Sequence, residues 1–186
     1  MKSFGIIIIL LLTFSCSEKQ TDLRIVEFEK ELGKKETKSL NSLVSDFERN
    51  LRNIYPDLPI QKCYEKYLTD MTSELTTDWE KFEFQSDKTN SEFHQSGLWN
   101  EIYEVNYFQK PGSQDSIKSL NINRIGKYMR AIYAVKDSDS LLKKYWDKRD
   151  AAGLMQNELV INGILSSKPD FNDYFHKRIV VVEFSF

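Results

Sequence analysis

Two histidines (His94, His176) and two cysteines (Cys16, Cys63) are the scarce reactive groups of this 186-residue chain. On a strand Glu92 and His94 would share a face. A zinc site draws three or four ligands, and no HExxH or paired-cysteine pattern supplies the others. Asp137-x-Asp139 begins like a calcium loop, but Leu141 holds the next ligand place and no glycine follows. That pair reads as the cap of a helix. No GxSxG elbow offers an activated serine. Cys63 falls in helical register with Ile60, Tyr64, Tyr67, Leu68 and Met71, an apolar face that buries the thiol rather than offering it to His94. Glu101 and Glu104 lie three apart beside Trp99 and Tyr103. Two carboxylates roughly 5–9 Å apart can cleave a glycoside. The plainer reading packs Trp99 and Tyr103 on the core and leaves both acids in water. No glycine-rich phosphate cradle is present. The expectation is a chain with no catalytic residue, no metal and no cofactor.

Aromatic content, at 13%, is the compositional oddity. Aromatics fill helical cores, and they also anchor protein interfaces. The helical spacing of Tyr64, Tyr67, Tyr128 and Tyr133 assigns those rings to a core. Phe93, Trp99, Tyr103, Tyr107 and Phe108 cluster where the pattern is less regular, and residues 93–108 are the candidate binding surface.

Positioning these groups requires helices. Glycine and proline are scarce, seven and four, which disfavours a turn-rich sandwich or barrel. Leu23 to Leu32 reads as a short first helix ending at Gly33. Leu40, Leu43, Val44, Phe47, Leu51 and Ile54 keep helical spacing and stop at Pro56. Pro59 opens a helix through Leu75. Residues 76–97 are less clear: Trp79, Phe82 and Phe84 suit a helix or a strand, and Ser86 to Gly97 reads as a polar loop. Leu98 to Phe108 fits either helix or strand. A turn at Lys110-Pro111-Gly112-Ser113 precedes a helix over Ile117–Val135. Further helices follow at Leu141–Trp146 and Leu154–Leu165, with a helical turn at Phe171–Phe175. Ile179 to Phe186 is rich in β-formers and reads as a terminal strand, with 79–84, 103–108 or another chain as its partner. The fold expected is a mainly α, bundle-like domain of six or seven helices, with an α+β alternative if the C-terminal strand forms.

The beginning of the chain has its own pattern. Lys2 precedes an apolar run from Phe4 to Leu12, and Thr13-Phe14-Ser15-Cys16 follows. The run falls short of the roughly 20 residues of a membrane span and matches the core of an export signal. It resembles a bacterial lipoprotein signal of the relaxed Bacteroidota type over residues 1–16 alone. Ser15 takes the small position before the cysteine and Cys16 the lipidated one. Thr13 and Phe14 depart from the usual lipobox. The resemblance implies cleavage after residue 15 and lipid on Cys16; the polar residues that follow read as a tether over 16–22, and the length of the remainder reads as one domain over 23–186. The resemblance also implies a place in the cell envelope, held to a membrane by the lipid. In the lipoproteins it resembles, a cluster of acids just after the cysteine favours the cell surface; here Ser17, Glu18, Lys19 and Gln20 follow with one acid, so the resemblance implies the periplasmic face of the outer membrane.

With 26 basic and 28 acidic residues the net charge is −2. No basic run exceeds two residues, so no nucleic-acid stripe is expected. Together these features lead to an expected role as a non-catalytic accessory lipoprotein with an envelope protein partner. The alternative is a small-ligand or glycan-binding lipoprotein that uses residues 93–108.

Overall fold

A computed structural model describes residues 22–72, 86–109, 112, 115–152 and 155–185. The expected signal, the lipobox and the 79–84 segment lie outside them. The fold is mainly α: nine helices and one two-stranded antiparallel sheet among the described residues.

The first three helices follow their sequence signals. Asp22 caps α1 (Leu23–Leu32) by accepting from the Arg24 amide at 2.9 Å. The long α2 (Lys34–Ile54) presents Leu40, Leu43, Val44, Phe47 and Leu51 to the core. Pro59 stands before α3 (Ile60–Met71), which buries Cys63, Tyr64, Tyr67 and Leu68. The aromatic rings interlock across these helices. Phe47 stacks on Tyr64 at 5.6 Å, and Phe28 of α1 meets Phe175 edge-on at 5.5 Å. Tyr128 is buried as expected, whereas Tyr133 is exposed.

Residues 86–97 are a helix, not a loop: α4 (Asp87–Ser96). Its polarity misleads because one side faces water and only Thr89 and Phe93, four apart, turn inward. The Ser86 hydroxyl caps it. Buried Asp46 of α2 holds the cap in place, accepting from the Ser86 amide at 3.1 Å and its hydroxyl at 2.7 Å. Burial raises the Asp46 pKa. Hydrogen bonds from Thr89 and Ser86 outweigh it, so the carboxyl sits below its ordinary value. A depressed folded pKa means that the stabilisation is present at neutral pH and is lost as pH falls through that value. Asp46→Ala should therefore cost about 1–3 kcal/mol at pH 7. Denaturant melts of the two proteins should draw together as pH falls below the ordinary carboxylate value of about 3.9, and converge only where the depressed folded-state carboxyl itself protonates. An equal cost at pH 3 and pH 7 would contradict the assignment.

Gly97 adopts φ 84°, the left-handed turn that separates α4 from the single turn α5 (Leu98–Ile102). The chain then becomes a strand, β1 (Tyr103–Gln109), paired with β2 (Ser116–Ile122). The ambiguity over 98–108 thus resolves into helix first and strand second. The helix expected over 117–135 is divided: β2 takes its first part and α6 (Lys127–Val135) its last. Leu120 and Ile122 alternate against Val105 and Tyr103, and this pairing outweighs the local helical spacing.

A 3-10 turn over Lys136–Ser138 leads to α7 (Ser140–Ala151), then α8 (Asn157–Ser166) and α9 (Tyr174–Phe184). Asp139 caps α7 through the amides of Leu141 and Leu142, the capping role expected for it. The C-terminal strand is corrected. Asp173 accepts from the amides of Phe175 and His176, starting a helix that continues through Phe184. Ile179, Val180, Val181 and Val182 are all fully buried, so α9 is covered around most of its circumference. A β-branched run takes helical form here because tertiary burial outweighs local propensity. Among the described residues, no helix is long and apolar enough to cross a membrane.

Candidate functional site

The region 93–108 spans α4, α5 and β1, and its five candidate residues separate into two groups. Phe93 and Tyr103 are buried and Trp99 is half-buried. Trp99 meets Phe93 edge-on at 5.9 Å and Tyr103 at 4.8 Å, and it stacks on exposed His94 at 4.7 Å. The Tyr103 hydroxyl donates to the carbonyl of Val182 in α9. These three rings form the root of the hairpin and fix it to the core.

Tyr107 and Phe108 form the other group. They are 67% and 48% exposed, and Val105 and Ile117 beside them are 37% and 54% exposed. Phe108 lies opposite Ile117 in the ladder, and Val105 shares a face with Tyr107 two residues on. The hairpin therefore runs from a buried root to an apolar outer half with exposed side chains on both faces. Among the described residues the sheet has two strands, β1 and β2. The other large exposed apolar residues, such as Leu23, Ile125 and Leu159, belong to separate helices or loops.

The start of α6 braces the hairpin. A Cβ at Gly126 would stand 2.2 Å from the Glu101 carbonyl oxygen, so only glycine admits this close approach. Glu101 accepts from the Lys127 amide at 2.8 Å, at the first turn of α6. Glu104 accepts from Asn106 on its own strand. The two carboxylates considered for glycoside cleavage are thus engaged in different places.

Under the root lies a cleft of about 160 Å³, bordered by Tyr103, Asn121, Arg149, Asn157 and Glu183. Sequence reading missed its floor. The Arg149 and Glu183 side chains, 7% and 4% exposed, form a two-point ion pair, and the Tyr145 hydroxyl donates to Glu183 at 2.6 Å. Burial opposes the Arg149 charge, and Glu183 more than restores it. Burial also pushes the Tyr145 phenol well up, so it stays protonated and donates. Three directed hydrogen bonds occupy Glu183, which makes the group a brace between α7 and α9. Its available signal was a lone acid inside the apolar run 179–186, together with Tyr145 and Arg149 one turn apart.

Cys63 is buried as expected. Its Sγ lies 3.4 Å from the Leu58 carbonyl oxygen and 3.6 Å from that of Tyr55, and burial raises its pKa. His176 meets Asp139 at 3.2 Å, far in the chain from His94. No group of three or more His, Cys, Asp and Glu suited to a metal gathers among the described residues. Comparison with protein-family models, curated proteins and solved structures finds no match for this chain.

Proposed function

We propose that this protein is a non-catalytic, lipid-anchored component of the bacterial envelope that binds a partner protein through the outer half of its β1–β2 hairpin. The observation that carries the reading is the concentration of Val105, Tyr107, Phe108 and Ile117 on one exposed ribbon. They fall in two pairs, Val105 with Tyr107 on one face and Phe108 with Ile117 on the other, so a partner that clasps the outer half of the ribbon would cover both. Burying one such side chain contributes about 1.5–3 kcal/mol. Four of them contribute about 6–12 kcal/mol against an association cost of about 4–15 kcal/mol, so the complex also needs contacts around this ribbon. The Cys16 lipid would hold the body at the periplasmic face of the outer membrane. The tether over 16–22 reaches at most about 25 Å when fully extended.

The glycan alternative has less support. Phe93 and Tyr103 are withdrawn into the core. Tyr107 and Phe108, being adjacent on a strand, point to opposite faces and cannot form one flat platform.

The test is native extraction of the full lipoprotein in mild detergent, wild type beside Tyr107→Ser/Phe108→Ser. The wild type should bring a stoichiometric companion. The variant should bind it about 100-fold more weakly, as expected for two lost interface aromatics, and should melt within a few degrees of wild type because both residues are exposed. A solitary wild type, or a companion retained by the variant, would overturn the proposal.

A further inference from the structure

Arg178 is a buried cation without a carboxylate of its own. It is 5% exposed, and among the described residues no acid lies within ion-pair distance of it. One terminal nitrogen donates to the Tyr174 carbonyl at 2.7 Å and the other to the side-chain oxygen of Asn41. Nε has no partner. A guanidinium carries five N–H donors, so most remain without a protein acceptor. Its carbon lies 3.3 Å from the centroid of the Tyr174 ring. That ring's hydroxyl is committed to Glu29 at 2.8 Å. Burying a charge without compensation is costly, and burial does pull Arg178 below its ordinary pKa.

This side chain borders an open cleft of about 330 Å³ between α2 and α9, together with Asn41, Ser45, Asn172 and Lys177. The one acid in its lining, Glu48, is already taken: Lys177 holds it at 3.1 Å and Arg52 at 3.5 Å. Lys177 and Arg178 against Glu48 leave the lining with one positive charge in excess beside neutral amide and hydroxyl groups, while Glu29, held by the Tyr174 hydroxyl, acts on Arg178 from outside the lining.

We propose that this cleft binds a small oxyanion, a carboxylate or a phosphate, as the counter-ion of Arg178. The planar fork of arginine matches either group in two-point fashion, and Lys177, Asn172 and Ser45 would complete the shell. The site is separate from the hairpin and stands whether or not the hairpin binds a partner.

Calorimetric titration of the full chain with inorganic phosphate and with succinate, at ionic strength fixed by sodium chloride, tests it. One-site saturable binding of either probe supports the proposal, and the probe that binds identifies the ligand as phosphoryl or carboxylate. Arg178→Met should abolish that binding. Exposed Ser45→Asp places a competing carboxylate at the cleft without touching the core, and should weaken binding about tenfold. It carries the test should Arg178→Met fail to fold. No saturable binding of either probe, or unchanged binding by Ser45→Asp or by a folded Arg178→Met, would overturn the proposal.

Discussion

A chain ended at Arg178 should fail to fold. The deletion removes Ile179, Val180, Val181, Val182 and Phe184, each buried in the centre of the helical body. At about 1.5–3 kcal/mol per buried side chain the loss is about 7–15 kcal/mol. That equals the whole stability of a typical domain, about 5–15 kcal/mol. The truncation also removes Glu183, so Arg149 and Tyr145 lose their shared acceptor, and it removes the Val182 carbonyl that receives the Tyr103 hydroxyl. Circular dichroism should show no cooperative melt. A truncated chain that kept the wild-type transition would mean that α9 is peripheral, and the packing described above would be wrong.

The second large effect concerns the brace between α7 and α9. Arg149→Ala leaves Glu183 charged and buried with only the Tyr145 hydroxyl beside it. Removing one member of a buried pair costs about 3–5 kcal/mol. For a chain of this size each kcal/mol lowers the melting temperature by about 2–4 °C. The variant should therefore melt roughly 6–20 °C below wild type. The paired replacement Arg149→Met/Glu183→Leu removes both charges and keeps much of the volume, and should restore part of the loss, because no buried charge remains while the Tyr145 hydroxyl, left without its acceptor, keeps a cost of about 1–3 kcal/mol. The two melts together separate an ion-pair brace from a simple packing defect. If the double variant were as unstable as Arg149→Ala, the pair would matter through its shape and not its charge.

How far the fold could be read from the sequence depends on which signal each element carries. The helices α1, α2 and α3 combine apolar periodicity with clear stops at Gly33 and Pro56 and a clear start at Pro59, and their faces were legible. In α4 the apolar period has only two members, and the serine that caps it reads equally well as loop. The strand β2 depends on a ladder with β1, a non-local contact that no local spacing reveals. The terminal helix inverts its own propensity: Ile179–Val182 favours strands, and only the Asp173 cap pointed the other way. The candidate surface was legible in outline. Tyr107 and Phe108 are exposed, but pattern alone could not show that Phe93 and Tyr103 turn inward while Val105 and Ile117 join the exposed group. Arg149, Glu183 and Arg178 escaped notice because charged residues read as surface until burial is known.

The account's central claim is that the exposed half of the hairpin, and not some other face, meets a partner. A photo-crosslinking residue placed at Phe108 in cells making the full lipoprotein tests it most directly, with the same residue at exposed Leu159 of α8 as the comparison. The account predicts one discrete protein adduct from position 108 and none of the same mass from position 159. The absence of an adduct at 108, or the same adduct from both positions, would contradict it.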